Sequence, residues 1–149
     1  MAVTLKERIN EDVRAALRSR DKRRLSLLRL ILAAIKQREV DERIVLDDAQ
    51  VISVLDKMVR QRQEAIEIYQ KAGRQDLAEQ ESFELRVLQE YLPTPLSQEE
   101  VEALVEQAIA QTGAVSIKDM GRVMARLKPQ VQGRTDMSAV SDLVKRRLS

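Results

Sequence analysis

Few residue types in this 149-residue chain could do chemistry. It has no cysteine and no histidine, so thiolate nucleophiles, imidazole acid–base catalysis and zinc sites of the usual kind are excluded. A serine nucleophile would need lysine as its base, and the one Ser-x-x-Lys, Ser19-Arg20-Asp21-Lys22, comes without the Ser-Asp-Asn and Lys-Thr-Gly segments that accompany it in enzymes. The four glycines, at 73, 113, 121 and 133, form neither a G-x-G-x-x-G nor a Walker loop. Nucleotide sites of those types are excluded and no cofactor is expected. Carboxylates are plentiful, at Asp47-Asp48, Glu79, Glu81, Glu84 and Glu99-Glu100-Glu102, and such groups can pair for acid–base work or hold magnesium. The aspartate pair and the Glu99 cluster, however, fall where helices should begin, and a helix N-terminus favours negative charge. They read as structural, and neither a metal nor a catalytic residue is assigned.

The cations leave more open. Lys22-Arg23-Arg24 opens a helix, where a solvated face is the plain reading. Lys118, Arg122, Arg126 and Lys128 border one later helix, Arg134 sits in the glycine turn after it, and Lys145-Arg146-Arg147 nearly closes the chain. A helix, glycine turn and helix edged with cations can set side chains and backbone N–H groups against phosphates. Ordinary surface charge explains the same residues about as well. Aromatics are only 2%, which argues against base stacking; bound RNA would be held by shape and phosphate contacts. Net charge is only +2, but it is unevenly spread. Residues 1–38 carry eleven Lys/Arg against four Asp/Glu, residues 39–92 seven against thirteen, and the remainder eight against seven. Attraction between neighbouring helices accounts for this asymmetry more simply than a phosphate-binding face does.

The elements that position these groups are helical. Ala, Leu, Glu, Gln, Lys and Arg dominate, the strong helix formers. A Thr4/Glu7 capping box predicts a helix from there to about Ser19, striped by Leu5, Ile9, Val13 and Leu17. Asp21 caps a second, striped by Leu25, Leu28, Leu32 and Ile35, which stops near Glu42. Asp47 or Asp48 caps a third, running through Ile52, Leu55, Val59, Arg62, Ile66 and Tyr69 to a C-terminal Gly73. A fourth carries Leu77, Glu81, Leu85, Leu88 and Leu92. Arg62 and Glu81 interrupt two apolar stripes with opposite charges and are expected to pair. Pro93-Thr94-Pro95-Leu96-Ser97 reads as a linker. Ser97 with Glu100 opens a fifth helix ended by Gly113, Ser116 with Asp119 a sixth stopped by Pro129, and Asp136 caps the last. The expected fold is all-α: an N-terminal four-helix domain (1–92), a proline linker (93–97) and a small C-terminal three-helix bundle (98–149). No apolar run approaches the ~20 residues of a membrane-spanning helix, and the start of the chain lacks the apolar core of a signal peptide. The expected location is cytoplasmic, with no membrane contact.

Several segments together resemble the YqeY-like proteins of the GatB/YqeY group. They are Arg24-Leu25-Ser26-Leu27-Leu28-Arg29 with Ala33-Ala34-Ile35-Lys36, Arg60-Gln61-Arg62 with Ala65-Ile66 and Tyr69, Ala72-Gly73-Arg74-Gln75-Asp76-Leu77, and Glu90-Tyr91-Leu92-Pro93. In the tail they are Lys118-Asp119-Met120-Gly121-Arg122-Val123-Met124 and Gly133-Arg134 with Asp136, Val140, Leu143-Val144-Lys145 and Leu148. The resemblance covers essentially the whole chain. It implies a tail similar to that of the B subunit of glutamine-dependent tRNA amidotransferases, and hence a tRNA-associated accessory role. The partners implied are tRNA and an amidotransferase or aminoacyl-tRNA synthetase complex. Lys118, Gly121, Arg122, Gly133, Arg134, Lys145 and Arg146 are the contact candidates on that basis. The family-level label would be carbon–nitrogen ligase with glutamine as amide donor. The kinase-like catalytic body of the B subunit is missing here, so nothing in the chain supplies that chemistry. Gln132 stands where the resemblance implies lysine, and Thr135 and Met137 where it implies small residues. The alternative is a helical protein–protein adaptor with no RNA.

Overall fold

Seven α-helices and one 3-10 turn make up the computed structural model, which describes residues 3–149; no strand occurs among the described residues. The chain divides into two compact units, Met1–Leu92 and Pro93–Ser149, each with its own apolar core.

The first unit holds α1 (Leu5–Ser19), α2 (Lys22–Glu42), α3 (Asp48–Lys71) and α4 (Gln75–Gln89). Local chemistry sets their ends. The Thr4 hydroxyl accepts from the Glu7 N–H while the Glu7 carboxylate accepts from the Thr4 N–H, and Asp47 and Gln50 do the same for α3. Each such cap is worth about 1 kcal/mol. Gly73 takes φ +70° just past α3, and the Arg74 N–H closes back on the Tyr69 carbonyl at 2.9 Å. Ile9, Leu28, Ile31, Val51, Leu55 and Leu88 are wholly buried.

Two stripe residues depart from the periodicity. Leu17 is half exposed, because α1 ends at Ser19 and Ala16 takes the inward place. Leu92 lies beyond α4, which stops at Gln89 and gives way to a turn in which the Tyr91 N–H bonds the Leu88 carbonyl. Arg62 and Glu81 do share one network, but the ion pair closes elsewhere. Arg62 Nε lies 3.4 Å from Glu84 Oε2 and makes no hydrogen bond. Glu81 and Glu84, three residues apart, share a face of α4. Burial and the Glu84 charge together push the Glu81 carboxyl above its usual range, against the pull of Arg62.

The second unit holds α5 (Gln98–Thr112), the 3-10 turn Ile117–Asp119, α6 (Met120–Val131) and α7 (Met137–Leu148). Val105, Val123, Leu127, Val131, Val140 and Val144 are wholly buried. Pro129 was expected to stop α6, yet the helix continues to Val131. Proline removes the bond its N–H would have made and crowds the carbonyl four residues back, yet does not block the residues that follow it from staying helical. The Gln132 N–H still reaches the Lys128 carbonyl at 3.0 Å, and the wholly buried Val131 anchors the final turn. The proline segment is fastened within this unit: the Leu96 N–H donates to the Arg134 carbonyl at 2.8 Å. Among the described residues no helix is long and apolar enough to cross a membrane.

Candidate nucleic-acid interface

The eight cations of the second unit sort into two groups. Four arginines are fastened to neighbours. Arg122 donates to the Thr112 carbonyl at 3.1 Å and to Asp119 at 2.7 Å, tying α6 to the end of α5. Arg126 bonds Gln111, and Arg147 pairs with Glu106 at 2.6 Å. Arg134 Nε donates to the Thr94 carbonyl at 2.9 Å, and its N–H bonds the Val131 carbonyl. The other four, Lys118, Lys128, Lys145 and Arg146, are exposed and their side chains enter no hydrogen bond or ion pair among the described residues.

These bonds separate the candidates by position. Lys118, Gly121 and Arg122 lie at the start of α6, and Gly133 and Arg134 lie just past its other end. Twelve residues of helix, Met120–Val131, put about 18 Å between the two places. Gly133 is buried and takes φ +76°, a conformation that favours glycine. The turn requires this residue for its own geometry. Lys145 and Arg146 lie in the last turn of α7, where cations favour the helix dipole.

The start of α6 already carries an anion of its own. The Asp119 carboxylate accepts from the Val115 N–H at 2.9 Å and the Ser116 N–H at 3.3 Å. The Val115 bond, then the Arg122 guanidinium and the Ser116 bond, hold it below the usual carboxylate range. Gly121 has no such reason to be glycine. It is exposed and helical, and a Cβ there would meet nothing within 4 Å. Gly121→Ala is expected to stabilise the protein by about 0.5 kcal/mol in urea unfolding, since glycine is a poor helix residue. A simultaneous loss of RNA affinity would mark Gly121 as the place where a ligand backbone approaches.

Sequence reasoning missed a second polar cluster, in the first unit. Tyr91 is buried, donates its hydroxyl to Asp12, and lies with Arg8 over its ring at 4.7 Å. Arg8 also donates to the Glu90 carbonyl at 3.0 Å, and Arg24 to the Glu90 carboxylate at 2.8 Å. The segment Glu90-Tyr91-Leu92-Pro93 contained the signal, without its partners. This cluster fastens the end of α4 to α1 and α2 and offers no free group to a ligand.

The model of the YqeY-like protein family matches residues 6–148. The chain belongs to this family. A Pyrenophora tritici-repentis protein named altered inheritance of mitochondria protein 41, mitochondrial, is 30% identical over 130 residues, covering 85% of this chain and 71% of its own length. Its namesakes in Vanderwaltozyma polyspora and Kluyveromyces lactis are 29% and 33% identical, over 75% and 68% of this chain and 64% and 56% of theirs. This YqeY-like chain thus spans between 56% and 71% of the length of these three relatives. Their names overturn the cytoplasmic expectation, since each is named a mitochondrial protein. Cysteine content and the first residues of the chain, on which that expectation stood, do not separate cytosol from organelle.

Proposed function

We propose that this YqeY-like protein is a non-catalytic accessory module that engages tRNA through phosphate contacts of its second unit, in support of an amidotransferase or synthetase complex. The four helices before residues 93–97 are its scaffold and the three after them its contact module. The observation that carries the reading is the set of exposed, unpaired cations of the second unit, the candidates Lys118, Lys145 and Arg146 together with Lys128, whose charge no neighbouring group consumes. Unpaired lysines are the cheapest cations to commit to phosphate, because no internal bond must break first. The fastened Arg122 and Arg134 contribute by shaping the surface. The relatives' names attach a mitochondrial setting to this reading.

The test is binding of bulk tRNA by the whole protein across a salt series. Wild type is expected to bind at low salt and weaken steeply as salt rises. Lys118→Gln, Lys145→Gln and Arg146→Gln should each reduce the salt slope by about 1, with unfolding curves unchanged. Arg122 and Arg134 are poor test positions, because losing their internal bonds would disturb the unit. Absence of binding at low salt would overturn the reading. A change in the rate of amide formation, on adding the protein to a reconstituted transamidation, would make it a working component of that reaction.

A further inference from the structure

From Lys22 to Arg38 the chain carries six cations and no acid. The structure sorts them by face. Arg23 pairs with Glu79, Arg24 with Glu90 and Arg38 with Glu42. Lys22, Arg29 and Lys36 stand seven residues apart, with Arg43 one further step on at the helix end. All four are exposed, and their side chains enter no hydrogen bond or ion pair among the described residues. Seven residues are two helical turns, so the cations form one row at intervals of about 10.5 Å. Glu39 feels Lys36 but is already committed to Lys6 at 2.7 Å and to the Leu46 N–H at 2.9 Å, Asp21 caps α2 through the Arg24 N–H, and Glu42 pairs with Arg38. Between the cations the same face presents Ser26 and Ala33, and beside them Leu30 and Val40, exposed by 51% and 59%.

We propose that this face of α2 is a docking surface for an acidic amphipathic helix of a partner protein. Three observations choose that occupant. A helix with Asp or Glu every seven residues repeats its charge at the same interval as the cations, so several pairs form in one register. Small side chains at Ser26 and Ala33 let a second helix axis come close, and Leu30 and Val40 give it apolar surface to bury. RNA phosphates repeat more closely along a strand than this row does, and an RNA backbone makes no use of exposed leucine and valine. The surface stands apart from the tRNA reading, since none of its residues lies in the second unit.

The probe is a designed 21-residue helical peptide with Glu at every seventh position and Leu flanking it, titrated against the whole protein by fluorescence anisotropy. A peptide with Lys in place of Glu serves as its control. The Glu peptide should bind at least tenfold more tightly than the control and weaken as salt rises. Lys22→Gln/Arg29→Gln/Lys36→Gln should cost about tenfold or more while its helical circular dichroism and unfolding curve match wild type. Leu30→Ala should weaken binding without altering its salt dependence. Equal binding of the two peptides, or an unaffected triple variant, would overturn the proposal. So would a triple variant that loses tRNA or anionic phosphatidylglycerol vesicles instead of the peptide, which would assign the row to nucleic acid or to a lipid surface.

Discussion

Arg62→Ala is expected to destabilise the first unit by about 2–3 kcal/mol, read as a loss of roughly 10 °C or more in the unfolding midpoint. Arg62 and Glu84 keep only 14% and 15% of their side-chain surface exposed. Removing the cation leaves Glu84 beside Glu81 with no compensating charge, and two carboxylates so placed disfavour each other's ionised form. The pH dependence separates this from simple loss of packing. The folded-state value of Glu81 already lies above its unfolded value. Its contribution is therefore fully present below the ordinary glutamate range near 4.5 and is lost as pH rises through the folded value. Arg62→Ala should steepen that loss, so the variant recovers towards wild type as pH falls through 5 towards 4. Glu81→Gln alone should stabilise at neutral pH and lose its advantage near pH 4. Combining Arg62→Ala with Glu81→Gln and Glu84→Gln should recover part of the deficit at pH 7. A deficit independent of pH, and unchanged in the triple variant, would show that the guanidinium acts by packing alone.

Where the sequence carried its own local physics, the fold was legible. Thr4 with Glu7, Asp47 with Gln50 and Ser97 with Glu100 each close their capping boxes, because a cap needs only partners three residues away. Gly73 and Gly113 end helices in left-handed backbone for the same local reason. Apart from Pro129, which the helix passes by two residues, what failed needed distant partners. Nothing in the first twenty residues indicates that Arg8 will cover a ring, or Asp12 accept a hydroxyl, some eighty positions on. The Arg62 network was half legible: two interrupted stripes announce that the charges must meet, but helix rotation decides that Glu84 rather than Glu81 closes the pair. The candidate interface shows the same limit. Charge type and glycine spacing located its cations, yet could not distinguish an arginine fastened to a carbonyl at the end of α5 from a lysine free in solvent. That distinction depends on where neighbouring carbonyls point, which only the packed helices determine.

Tyr91→Ala and Tyr91→Phe should divide the cost of the second polar cluster into its parts. Alanine removes a ring that is only 3% exposed, packed into the core of the first unit and covered by Arg8 at 4.7 Å. A loss of about 3–5 kcal/mol in urea unfolding is expected. Phenylalanine keeps the ring and deletes only the hydroxyl that donates to Asp12, leaving a part-buried carboxylate without that donor. About 1–2 kcal/mol is expected. Alkaline titration supplies an independent reading. Burial, then the Asp12 carboxylate, pushes the Tyr91 hydroxyl well above its usual value of 10.0. The stability it confers is therefore intact below pH 10 and falls as pH rises beyond it, where the unfolded chain releases this proton and the folded chain holds it. Tyr91→Phe cannot release that proton, so its stability should decline less than wild type's between pH 10 and 11, and the two curves should converge. Parallel curves across that interval would show that the hydroxyl is bound no more firmly in the folded chain than in the unfolded one. The bond to Asp12 would then contribute to position and little to stability. Convergence would show that the folded chain holds the Tyr91 proton more firmly than the unfolded one, as burial and the bond to Asp12 require.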